Sequence, residues 1–231
     1  WQFELQPKAE LIRQAFFDHK ITIEAPAIQT DHQQYHYRNK MEFAWWWDND
    51  TQRVELAHYQ RGAKGKVITD GSSLARPEIN QTARRIRDLI NAKNWQARQL
   101  KTVLLRANQA GQVVAQLYVT DEQLAFSETE FATLGITGLE LIYSTPKSPA
   151  SVISKRLQVF GQMRLCDELS GLEFSYPAES FFQINLPVYQ MALDQISVSL
   201  LDERPMVDLY SGVGPIGLSV AGERQLKLVE I

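Results

Sequence analysis

The residues best suited to chemistry lie in the stretch Val207-Asp208-Leu209-Tyr210-Ser211-Gly212-Val213-Gly214-Pro215-Ile216-Gly217-Leu218. A short apolar run meets two glycines spaced Gly-x-Gly, then small and aliphatic residues of helical character, which reads as strand, tight turn and helix N-terminus. Gly212 and Gly214 lack a Cβ, so the backbone can take positive φ and let a ligand approach its N–H groups. The next helix directs its unpaired N–H groups into the same crevice, at the carboxyl end of the strand. The turn is therefore a candidate nucleotide site, although paired glycines also serve tight βα turns that bind nothing. A second apolar run, Leu226-Lys227-Leu228-Val229, ends at Glu230. In dinucleotide folds an acid about 20 residues past the glycines bonds a ribose hydroxyl. The interval here is slightly short, and the alternative reading of Glu230 is a solvated strand-end acid.

Upstream stands Phe181-Phe182-Gln183-Ile184-Asn185, followed by Pro187 and a stretch that places Val188, Met191, Ala192, Gln195, Ile196 and Leu200 on one helical face. Phe-Phe-Gln-x-Asn, then one helix, then Asp-Leu-Tyr-Ser-Gly-Val-Gly resembles the family of S-adenosylmethionine-dependent RNA (uracil-5-)methyltransferases. Tyr37-Arg38-Asn39-Lys40-Met41-Glu42-Phe43 is similar to the signature of that family's central domain. The motifs bracket the chain from about Tyr37 to Glu230. It departs from the family in three places: Ser211 stands where cysteine is common, Pro215 where a polar residue or glycine is usual, and the sequence stops at Ile231.

The resemblance implies S-adenosylmethionine as cofactor and RNA, ribosomal or transfer, as partner. Gln183 would contact the cofactor near its methionine end, Tyr210 and the Ser211–Gly214 turn would wall it, and Glu230 would take the ribose hydroxyls. The family's chemistry is nucleophilic: a thiolate adds to C6 of uracil, C5 then takes the methyl group, and a base removes H5. In the family's order the nucleophilic cysteine comes after the glycine motif. The one cysteine here, Cys166, precedes it, so neither nucleophile nor base is assigned and the chain alone is expected to be inactive. Family members often carry an iron–sulfur cluster on four cysteines ahead of the segment that resembles residues 1–20; that cluster is expected only in a longer parent. Starting at Trp1 and ending one residue past Glu230, the sequence looks cut at both ends, with an incomplete cofactor site.

Composition narrows the remaining classes. The 231 residues are 44% hydrophobic and 22% charged, as in a soluble globular protein of one large or two small domains. A net charge of -3 gives no global signal for nucleic acid, so an RNA surface must be a local patch. No apolar run is long enough to span a bilayer and the N-terminus shows no signal pattern; a cytoplasmic protein without membrane partners is expected. A single cysteine excludes a disulfide framework within the chain, and a small thiol in the alternating run Gln162–Asp167 reads as structural. Oligomeric state is left open.

The elements that must position the site emerge from periodicity. Leu11, Ile12, Ala15 and Phe16 predict a helix that packs on the central domain. Residues 35–47 alternate as a strand and 54–59 return as its partner, leading into the loop Arg61-Gly62-Ala63-Lys64-Gly65-Lys66. Such a charge run reads as a solvated loop; beside Arg38 and Lys40, the cations Arg61, Lys64 and Lys66 could instead form a phosphate-binding patch. Pro77 opens a helix with Ile79, Ala83, Ile86 and Leu89 inward. Residues 102–107 and 112–119 form a hairpin, Thr120 and Gln123 predict a capping box for a helix toward Leu134, and 138–144 form another strand. Of Trp45, Trp46 and Trp47, most are expected to pack in the core rather than to stack on bases.

Thr145-Pro146-Lys147-Ser148-Pro149-Ala150-Ser151 is the Pro/Ser-rich connector that sets the boundary. The expected architecture is α/β: an α+β central domain over 1–150, then over 151–231 a bridging hairpin, a helix and the first βαβ of a Rossmann-like domain. Two other functional classes stay open, an RNA-binding module without catalysis and a different nucleotide-binding α/β enzyme such as a nicotinamide oxidoreductase. The Phe-Phe-Gln-x-Asn element, which dinucleotide folds do not need, weighs against the latter.

Overall fold

A computed structural model describes residues 2–24, 27–63, 65–200 and 204–230. Its centre is a seven-stranded sheet built from β1 (Lys40–Asp48), β2 (Arg53–Tyr59), β3 (Lys66–Ile68), β4 (Leu100–Ala107), β5 (Val113–Val119), β6 (Gly138–Tyr143) and β7 (Lys155–Gly161), in the order β3-β2-β1-β4-β5-β6-β7. Neighbours are antiparallel except β5 and β6, which run parallel and are joined through helix α3 (Glu128–Leu134). Side chains alternate across the sheet. One face carries Phe43, Trp45, Leu56, Val103, Leu105, Leu117 and Leu141, which pack against helix α2 (Pro77–Ala92). That helix starts at a proline, tolerated in the first turn, and buries Ile79, Ala83, Ile86 and Ile90 along one stripe.

The opposite face is polar where β4, β5 and β6 cross it: Arg106, Gln116 and Glu140 are each fully buried there. A second, smaller unit covers them. It comprises the hairpin β8 (Arg164–Leu169) and β9 (Leu172–Pro177), a loop over 178–185, helix α4 (Leu186–Ser199), and a parallel pair β10 (Met206–Leu209) and β11 (Leu226–Val229) joined by helix α5 (Pro215–Val220). Leu165, Phe174, Tyr176, Phe182, Leu186, Leu193 and Val220 form its own core, with Val114 of the large sheet among them.

Several expectations need correction. The boundary at 150 falls inside the large sheet, because β7 pairs with β6 after the Pro/Ser-rich connector. That connector is a tied loop: Lys101 donates to the Thr145 and Ala150 carbonyls, and Val152 N donates to Ser144 Oγ. The first strand begins at Lys40 rather than 35, since His36 has φ 59° and His36 and Arg38 bond the 73–75 backbone instead of a sheet neighbour. The capping box sits later, at Ser127 and Glu130, while Thr120 Oγ donates to Arg98 O. Helix α4 turns Leu186, Tyr189 and Leu193 inward together with the expected Ile196 and its C-cap Leu200, while the expected Met191, Ala192 and Gln195 are exposed. Only Trp45 of the three tryptophans is in the core, because Trp46 lies on the other face and Trp47 at the strand end. Helix α1 (Gln2–Asp18) forms, yet Leu11 and Phe17 stay mostly exposed instead of packing on the sheet.

Candidate functional site

The glycine turn folds as its sequence requires. Val207 and Leu209 pair with Lys227 and Val229 in parallel register, so β10 and β11 end side by side. At that end Tyr210 has φ 58°, Gly212 φ 57° and Gly214 φ 83°. Left-handed backbone costs an L-residue about 1–2 kcal/mol, and Tyr210, which is 78% exposed, bears that strain where the chain must reverse. Gly214 is the N-cap of α5, and a Cβ there would meet Leu218 Cδ1 at 2.9 Å and Leu228 Cδ1 at 3.2 Å. At Gly212 a Cβ would meet nothing within 4 Å, so the space above that residue is open.

The structure brings Glu230 to this turn. Ser211 N donates to Val229 O at 3.2 Å, Gly214 N to Ser211 O at 2.8 Å, and Gly212 N to Glu230 Oε2 at 2.7 Å. A carboxylate bonded to a glycine amide at the carboxyl edge of two parallel strands leaves its other oxygen to accept from a ligand hydroxyl. Ser211 is buried beneath the turn. Asp208, which sequence reading passed over, accepts from Gly217 N at 2.9 Å and anchors α5 to its strand.

Gln183 is held from the side of the large sheet. Asn39 Nδ2 donates to Gln183 O at 2.9 Å and Asn39 N to Ile184 O at 3.0 Å. Arg106 donates to three more carbonyls of the same loop: Ser180 at 2.6 Å, Phe182 at 2.8 Å and Ala178 at 3.3 Å. Lys40 and Arg106 are paired residues on β1 and β4, and Asn39 immediately precedes β1, so adjoining positions at one end of two inner strands fix five carbonyls over residues 178–184. Arg156 extends the hold by bridging Glu140 on β6 to Glu179 at 2.9 Å. Burial pushes the Arg106 guanidinium below its ordinary value, opposed by Tyr176 and Asp167; its carbon lies 4.8 Å from the Tyr176 ring centre. From this loop, Phe182 and Val213 share the small unit's core, which links Gln183's segment to the glycine turn through packing. Asn185 caps α4, accepting from Val188 N at 3.3 Å.

The cations proposed for RNA are dispersed. Arg38 is half-buried with its Nε lacking a partner among the described residues. Lys40 is pushed below its ordinary value by burial and then by Arg106, against Glu42 and Glu179. Lys66 donates to Trp45 O at 3.0 Å with its ammonium over Trp46 and Tyr59, so it staples β3 to β1. Arg61 stands exposed in the loop before β3, and Lys64 lies outside the described residues. Cys166, exposed on β8, has its carbonyl bonded by Asn108 and lies in a different element from the glycine turn. Two of the holding residues carried a sequence signal: Arg106 is a charge set in the apolar run Val103-Leu104-Leu105-Arg106-Ala107, and Asn39 sits within Tyr37–Phe43.

No family model matches the chain. A protein of Clostridium tetani named an uncharacterized RNA methyltransferase is 27% identical over 219 residues, covering 85% of this chain and 47% of the relative. One of the same description from Lactobacillus johnsonii is 23% identical over 184 residues, covering 73% of this chain and 41% of the relative. This chain thus spans a little under half the length of these relatives. Among solved structures, the Pyrococcus abyssi tRNA (uracil-54, C5)-methyltransferase in complex with S-adenosyl-L-homocysteine superposes with a TM-score of 0.79 at 16% identity, over 99% of this chain and 56% of that one. These sequence relatives support an RNA methyltransferase family assignment, and the solved structure shares the fold of the chain.

Proposed function

We propose that the chain is part of an enzyme that transfers the methyl group of S-adenosylmethionine to C5 of a uridine in ribosomal or transfer RNA. The observation that carries this reading is the glycine turn closed by Glu230, where open backbone, a helix N-terminus and a strand-end carboxylate meet. When bound, the cofactor supplies an electrophilic methyl group. The chain's own residues would orient it: the Tyr210–Gly214 backbone against its length, Glu230 accepting from ribose hydroxyls, and Gln183 presented from a loop that the sheet holds still. Holding groups rigidly in place is itself a large part of catalysis. Arg38, Lys40, Arg61, Lys64 and Lys66 remain the proposed RNA contacts, Arg61 being the most accessible of those described. The chain by itself is proposed to be inactive, because its one thiol is on β8, in a different element from the glycine turn.

Calorimetry with S-adenosylhomocysteine and, separately, with NADH tests the reading. The expected result is weak binding of the former, lost on Glu230→Gln, and no binding of the latter. Binding of NADH alone would favour a nicotinamide enzyme and overturn the proposal.

A further inference from the structure

A cavity of about 350 Å³ lies where the segment before β1 meets the first turns of α2 and α4, and none of the cofactor-site residues lines it. Its walls include Asp31, Tyr37, Asn39, Arg76, Gln109 and Asn185. Two buried acceptors on these walls have no hydrogen-bond partner among the described residues: Asn39 Oδ1 and Asp31 Oδ2. Asn39 is only 3% exposed, and because its Nδ2 already donates to Gln183 O, the amide cannot be turned over to relieve its oxygen. Asp31 uses only Oδ1, on Gln33 N at 3.0 Å. Buried polar atoms without partners are rare in folded proteins, and two on one cavity call for a ligand that fits them.

We propose that this cavity is a pocket for an unpaired guanine of an RNA strand. The inference rests on the RNA reading above and adds to it a base-reading subsite separate from the glycine turn. The occupant must bring at least two N–H donors, which excludes a phosphate group facing Asp31. It must also suit the Arg76 guanidinium, whose existing contacts are long, 3.5 Å to each Glu78 oxygen and 3.4 Å to Gln109 O, so its donors are not saturated. Guanine presents N1–H and the N2 amino group on one edge and O6 and N7 on the other, and a guanidinium is the usual partner of O6 and N7. Uracil, cytosine and adenine each offer only one donor nitrogen on their pairing edges, so only guanine meets two separate acceptors with two adjacent donor nitrogens. The half-buried Tyr37 gives the planar base a ring to lie against.

The test is a titration of the ¹⁵N-labelled chain with the monophosphates of guanosine, inosine and uridine, then with a short single-stranded RNA carrying one guanine and its inosine counterpart. Guanosine monophosphate is expected to shift the amides of 31–39 and Arg76. Inosine, lacking the N2 amino group, is expected to bind about tenfold more weakly, one hydrogen bond's worth, uridine to leave these amides unmoved, and Asp31→Asn to weaken guanosine binding by a similar factor. Equal shifts from guanosine and uridine, or none from guanosine at millimolar concentration, would overturn the pocket, and both are read on the unmodified chain whether or not the variant folds. RNA that binds without moving these amides overturns this inference alone. Mononucleotide binding here with no binding of any RNA leaves the pocket standing and removes the RNA reading.

Discussion

Replacing Arg106 by methionine keeps most of the side chain's apolar length and removes its fork of donors. In the wild type that fork makes two short bonds, to Ser180 O and Phe182 O, and a longer one to Ala178 O. A hydrogen bond from a charged donor contributes about 1.5–3 kcal/mol, so the two short ones amount to roughly 3–6 kcal/mol. Against this stands the several kcal/mol of desolvation that a buried guanidinium incurs and methionine does not. Arg106 is fully buried with only carbonyls and the Tyr176 ring as direct partners, so the relief is real. It is partial, because the orphaned carbonyls stay buried at about 1–3 kcal/mol each. The net expectation is a loss of about 3 kcal/mol in urea unfolding. Arg106→Lys retains the charge but not the fork and is expected to recover less than half of it. Hydrogen exchange should show the first loss of protection in the small unit, at 182–186 and along α4, before the large sheet opens. A methionine variant within about 0.5 kcal/mol of wild type, or one whose large sheet loosens first, would refute the clamp.

Other substitutions separate the roles of neighbouring groups. Gly212→Ala should cost only the left-handed backbone penalty of about 1–2 kcal/mol, whereas Gly214→Ala also drives a Cβ onto Leu218 and Leu228 and should cost measurably more in the same urea titration. Cys166→Ser should stay within about 0.5 kcal/mol of wild type, since the residue is exposed. Asp167 gives a pH dependence: burial raises its carboxyl above the ordinary value, opposed by the Tyr176 hydroxyl and Gln109 N. The folded state therefore holds this proton more tightly than the unfolded chain, so the contribution is full below the unfolded value near 3.8 and is lost as pH rises through the folded one. Measured against Asp167→Asn, wild-type stability should fall as pH rises from the unfolded value through the folded one; a rising difference would contradict the assignment.

Much of this was legible because it depends on local chemistry. Gly-x-Gly after an apolar run needs only backbone freedom, and the β10–α5–β11 unit forms where those residues stand. The proline-led helix α2 and the hairpin of β4 and β5 were likewise readable from spacing. The readings that failed depended on tertiary partners. Thr120 had the composition of a cap, but Arg98 O claimed its hydroxyl, leaving Ser127 to start the helix. The Pro/Ser-rich connector looked like a boundary, yet Lys101, distant in sequence, and the adjoining Ser144 fold it back so that β7 joins the sheet. Lys66 keeps its proposed phosphate role, but its seat over two aromatic rings from adjacent strands was not legible in the spacing of its loop. Asn39 and Arg106 acquire their role only once the loop carrying Gln183 is laid across them, and no spacing within either segment announces that meeting.

The claim on which the account turns is that cofactor lies along the glycine turn. Ultraviolet crosslinking of methyl-labelled S-adenosylmethionine to the chain, followed by peptide mapping, tests it directly. The account predicts label on the peptide carrying Tyr210 to Pro215, competed away by S-adenosylhomocysteine and reduced by Glu230→Gln. Label confined to other peptides, or label at the turn that S-adenosylhomocysteine does not displace, would contradict it.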